Sequence, residues 1–170
     1  MQIMDSQSRF DPLEGFAEIE RLAGKVYFRF SHLFLQHPEL RDFWWQMALD
    51  EEQHSATLLA CKELITNYDD EAMDPSLSQE KANELKERIN SYLRKGTPSI
   101  TMEEAFKIAL EMESSELEVI YGKLLRLGGP KIARTLGHLI VPASVQRQKL
   151  KSAVLRFSKD PGLRATVETL

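Results

Sequence analysis

The sequence predicts an all-α protein: an antiparallel bundle of four long helices, with a long crossover between the second and third that carries a short extra helix. Two observations predict it. Apolar residues recur at alternating steps of three and four along four separate stretches, which is one face of an α-helix. The links within the first pair and within the last pair of stretches are only a few residues long, and so short a link folds two helices into a hairpin. With 170 residues, 42% hydrophobic and 28% charged, the chain can bury one core, and residues 1–170 are read as a single domain.

The first helix covers about 12–36. Asp11-Pro12 is an N-cap followed by proline in the first turn. Its seam is Phe16, Glu20, Ala23, Tyr27, Phe30 and Phe34. The second helix, about 38–67, carries Leu40, Trp44, Met47, Glu51, His54, Leu58, Cys61 and Ile65 on one face. A polar loop follows, then a weaker stripe over 78–95 at Ala82, Leu85, Ile89 and Tyr92, which serves as the crossover helix. The third long helix, about 101–126, opens on Thr101-Met102-Glu103-Glu104, where Thr101 and Glu104 can satisfy each other's end donors. Its seam is Phe106, Ala109, Glu113, Leu117, Ile120 and Leu124. Gly128-Gly129-Pro130 ends it, and the fourth helix, about 131–157, places Ile132, Leu136, Leu139, Ala143, Gln146, Leu150, Ala153 and Phe157 together. Pro142 removes a backbone donor inside this helix and predicts a kink there.

Composition excludes several classes. A single cysteine, Cys61, allows no intrachain disulfide and no four-cysteine metal knuckle, and its seam position reads as a small buried hydrophobe. The polar first residues lack a signal-peptide core, and no apolar run approaches the roughly 20 residues that span a bilayer. A cytoplasmic protein without membrane contact is expected. Net charge is −4, yet residues 131–170 hold eight Lys/Arg against two Asp/Glu. Arg147, Lys149 and Lys151 read as the solvated face of a helix with acidic bundle neighbours, and no nucleic-acid binding is expected.

The second seam contains the chain's most unusual feature. Glu51 and His54 occupy two adjacent core positions, where burial of an unpaired charge costs roughly several kcal/mol. The other seams break at the same level. Glu20 and Glu113 lie 93 positions apart, and Glu51/His54 and Ala143/Gln146 lie 92 apart. Two hairpins related in this way bring all the polar breaks together.

With Ile19-Glu20 before Tyr27, Glu51-Glu52-Gln53-His54, and Leu110-Glu111-Met112-Glu113, the chain resembles the ferritin-like superfamily, of the rubrerythrin type, over residues 10–157. That resemblance implies a four-helix bundle with a di-iron or di-manganese carboxylate site, in which two helices give one Glu each and two give Glu-x-x-His. By position it makes Glu20, Glu51, His54 and Glu113 metal ligands. The second Glu-x-x-His is replaced by Ala143 and Gln146, so Gln146 offers only a weak amide oxygen. Iron is the first expectation, with manganese or zinc also suited to an oxygen-rich set with one imidazole. Iron oxidation, peroxide reduction and sequestration all fit the resemblance, and the assignment as an enzyme is left open. Rubrerythrins carry a Cys₄ iron module that this chain lacks, so electrons would come from an external donor. A homodimer is expected, from the resemblance and from the aromatic-rich segments 10–34 and 43–45. The alternative is a metal-free helical bundle acting as a structural or interaction module, its Glu, His and Gln forming a hydrogen-bond network.

Overall fold

Asp11, whose carboxylate accepts the backbone N–H of Leu13 at 2.9 Å and of Glu14 at 3.3 Å, starts helix α1 (Pro12–Leu33). The computed structural model describes residues 9–65, 74–114, 117–139 and 143–170, without the side chains of Leu139 and Ala143. Among the described residues every regular element is a helix. α1 stops three residues short of the predicted 36, because the chain must reverse ahead of Pro38, and the residue before a proline is driven out of the helical region. Helix α2 (Pro38–Leu64) follows after this four-residue link.

The two helices run antiparallel, since their partners pair in opposite order. Lys62 reaches Glu14 at 2.7 Å, Gly24 lies against Ala48 and Glu51, and Tyr27 stacks on Trp44 with centroids 5.9 Å apart. At Gly24 a β-carbon would sit 3.4 Å from both the Ala48 carbonyl oxygen and the Glu51 β-carbon. The two helices thus lie in close contact beside Glu51.

After the 3₁₀ turn Pro75–Leu77, helix α3 (Gln79–Lys95), capped by Ser78, climbs along α1 in the same direction. Lys86 pairs with Glu18 at 2.6 Å, and Arg29 donates to the Leu93 carbonyl at 2.8 Å. Helix α4 (Met102–Glu113) opens with the expected capping box, Thr101 N–H to Glu104 at 2.7 Å and Glu104 N–H to Thr101 Oγ1 at 3.1 Å. Phe106 packs on Trp44, which is fully buried among Tyr27, Phe30, Phe43 and Phe106.

The predicted helix over 101–126 is divided. α4 ends with Ser114 as its C-cap, and helix α5 (Leu117–Arg126) carries on the same buried seam. The predicted helix over 131–157 is divided too. Helix α6 (Gly129–Leu136) and a 3₁₀ turn, Gly137–Leu139, precede helix α7 (Ala143–Phe157). Gly129 has φ +77°, a conformation that favours glycine and that reverses the chain at Gly128-Gly129-Pro130. Pro142 and the kink expected there, residues 66–73, where the end of the second helix and part of the polar loop were expected, and residues 1–8 fall outside the described residues.

α7 returns antiparallel to α2. Gln146 meets Glu51, Lys149 reaches Asp50 at 2.6 Å, and Arg156 pairs with Glu39. A last helix, α8 (Pro161–Glu168), had no counterpart in the sequence expectation. Asp160 caps it, and Leu163 and Val167 bury against the bundle. No helix among the described residues is long and apolar enough to cross a membrane.

Candidate metal centre

Four helices place polar side chains at one level of the core. Glu20 comes from α1, Glu51 and His54 from successive turns of α2, Glu113 from the end of α4, and Gln146 from α7. All five are at least 95% buried and line one cavity of about 210 Å³, with Ala23, Met112, Leu117 and Tyr121 among its apolar walls. The side chain of Ala143 lies outside those described. His32, His37 and His138 are exposed and take no part.

Within the cavity, Glu20, Glu51 and His54 form the tightest group, with one donor atom from each all within 4.8 Å of one another. His54 Nδ1 lies 3.3 Å from Glu51 Oε2 and 3.8 Å from Glu20 Oε2. Donors around one tetrahedral ion with bonds of about 2.0–2.2 Å stand about 3.3–3.6 Å apart; the His54–Glu51 pair falls in that range and the His54–Glu20 pair lies slightly beyond it. The His54 ring's second nitrogen, Nε2, is buried and has no hydrogen-bond partner among the described residues. Two carboxylates with one imidazole are the donor set that iron, manganese and zinc accept. On these observations the residues fit a divalent transition metal.

Glu113 stands in the same cavity but outside that tight group. Its Oε1 accepts the Tyr27 hydroxyl at 2.7 Å, and the Tyr27 ring is held by its stack on Trp44. Gln146 presents its amide nitrogen to Glu51 Oε1, donating at 3.1 Å. Tyr121 lies against the imidazole, with ring centroids 4.6 Å apart.

Electrostatics follow from burial. Desolvation is the main cause that pushes the Glu51 carboxyl up to about 8, with the Glu20 charge adding to it and the His54 contact opposing it. Glu113 is likewise pushed up to about 8, by desolvation first and then by the Glu51 charge. Burial alone would lower the His54 imidazolium, but Glu20 and Glu51 outweigh it and raise it to about 11. Protons therefore hold the cluster together when no cation does.

Glu118 is the cavity residue that sequence reasoning missed. In the sequence it is one of the acidic neighbours of Glu113, with Glu111 and Glu116, a run that a solvated helix stripe also gives. In the fold its Oε2 pairs with Arg147 at 2.6 Å, while Oε1 is buried without a partner at the cavity wall. Its place one residue after the seam position Leu117 was the available signal, but which flank of α5 meets α7 is set only by tertiary packing.

Comparison of the chain with protein-family models, with curated proteins and with solved structures finds no match.

Proposed function

We propose that the protein is a ferritin-like, rubrerythrin-type four-helix bundle that binds a redox-active divalent metal, iron first, through Glu20, Glu51 and His54, with Glu113 alongside. One observation carries this proposal. Three donor atoms from two helices stand at mutual ligand spacing in the core, where the cluster is costly unless something joins it. Bound there, the metal supplies Lewis acidity and one-electron redox chemistry. The chain's own residues do the rest. Tyr27 fixes Glu113, Gln146 fixes Glu51, and apolar walls from Met112, Leu117 and Tyr121 limit water. Electrons, where the chemistry needs them, come from a separate donor, because the one cysteine is buried in the α2 seam.

The protein acts as a homodimer or larger assembly. Phe28, Trp45 and Leu49 are each more than 40% exposed on the outer face of α1 and α2, with Phe28 and Trp45 rings 5.5 Å apart. Such a contiguous apolar patch favours a self-complementary contact.

A second reading is favoured by the hydrogen bonds themselves. Glu51 has Gln146 and His54, and Glu113 has Tyr27, so a proton-bridged, metal-free core is chemically coherent. Calorimetric titration with Co²⁺ or Mn²⁺ separates the two. Metal binding predicts saturable uptake that His54→Ala abolishes and that His138→Ala leaves intact. Titration heats indistinguishable from dilution for the wild-type protein favour the metal-free bundle.

A further inference from the structure

Resting on the metal reading above, we infer that Glu118 is the entry-point ligand through which a divalent cation reaches the buried cluster, at an opening that Gly122 keeps clear. Among the described residues lining the cavity, only Glu118 and Gly122 are partly exposed, and every other one is buried. The cavity therefore opens to solvent along one turn of α5.

Glycine in a helix interior is destabilising relative to alanine. At Gly122 packing does not demand it, since a β-carbon would meet only the tip of Arg126, 3.9 Å away. The open space at the cavity rim is what the missing side chain leaves.

Glu118, at this rim, commits only one of its carboxylate oxygens. Oε2 pairs with the half-exposed Arg147, whereas Oε1 is buried with no donor to meet it among the described residues. A buried carboxylate oxygen without a partner is a standing acceptor for a passing cation. Inside the rim, Glu113, Glu51, Glu20 and His54 line the same cavity as Glu118, so oxygen and nitrogen donors continue from the opening to the buried group. The inner end of the cavity is the Glu20–Glu51–His54 group, whose donor atoms lie within 4.8 Å of one another. A carboxylate at a low-dielectric opening draws cations in and speeds their capture.

Stopped-flow mixing of chelator-stripped protein with Co²⁺, followed by the cobalt absorption bands, tests this. Glu118→Gln and Gly122→Leu are expected to slow uptake about tenfold or more while leaving the final stoichiometry unchanged. The wild-type rate should fall with added salt more steeply than that of Glu118→Gln. Far-UV circular dichroism and melting of both variants check that the fold is kept. Uptake rates within about twofold of wild type in both variants overturn the entry role alone. Loss of equilibrium binding in Glu118→Gln also overturns it, since Glu118 is then a resident ligand. Absence of any uptake by the wild-type protein removes the metal reading and the entry point together.

Discussion

His54 concentrates the chemistry of the core at the residue scale. Its imidazole lies between two carboxylates, and all three would be costly to bury separately. Protons resolve this without a cation, and that makes stability depend on pH. The folded Glu51 and Glu113 carboxyls hold protons up to about 8, above the ordinary value of 4.5. For a group raised in this way the stabilisation is complete below the unfolded value and is lost as pH rises through the folded one. His54 adds the same sign at higher pH, its contribution being present below 6.5 and lost towards about 11. The chelator-treated protein should therefore melt at a lower temperature at about pH 8 than at about pH 5, and Glu51→Gln should flatten the slope. Thermal melts across that range check it, and stability that rises with pH would contradict it. A bound cation competes with these protons, so metal affinity should tighten over the same interval.

At the element scale, helix ends decide what the sequence discloses. The middles of all four seams are buried as their periodicity predicts, from Phe16 to Phe30, Leu40 to Cys61, Phe106 to Leu124, and Leu136 with Gln146, Leu150 and Ala153, whereas the end positions Phe34, Ile65, Ile132 and Phe157 are only half-buried. Periodicity reports which face is apolar and continues in phase across a local break. It therefore cannot see that α4 stops at Ser114, or that α6 and α7 are separate. The last helix was legible by another signal. Asp160-Pro161 repeats the Asp11-Pro12 signature that opens α1, and Asp160 Oδ1 accepts the Leu163 N–H at 2.8 Å. Its apolar pair, Leu163 and Val167, is too short to register as a seam. Asp160→Ala should cost about 1 kcal/mol, read as a lower urea midpoint at unchanged m-value. A change within error would mean that α8 docks through Leu163 and Val167 alone.

At the scale of the whole molecule, the candidate site was legible in part. The register of Glu20, Glu51, His54 and Glu113 placed them at one depth, and they line one cavity. The division of labour among them was hidden. Which carboxylates stand at ligand spacing, and that Glu113 is engaged by Tyr27, depends on how α1 and α4 sit against α2. The outer aromatic patch belongs to this scale as well. Light scattering should return twice the 19.5 kDa chain mass or more, and Trp45→Glu should shift it towards the monomer. A clean 19.5 kDa species at micromolar concentration would contradict the assembly.

The central claim is that the buried Glu20–Glu51–His54 group exists to hold a metal. Elemental analysis of the protein purified without chelator tests it most directly. Near-stoichiometric iron, manganese or zinc in the wild-type chain, absent from His54→Ala prepared in parallel, is the predicted result. A wild-type protein that is folded, carries no metal, and takes none up on incubation with excess Fe²⁺ or Mn²⁺ would contradict it.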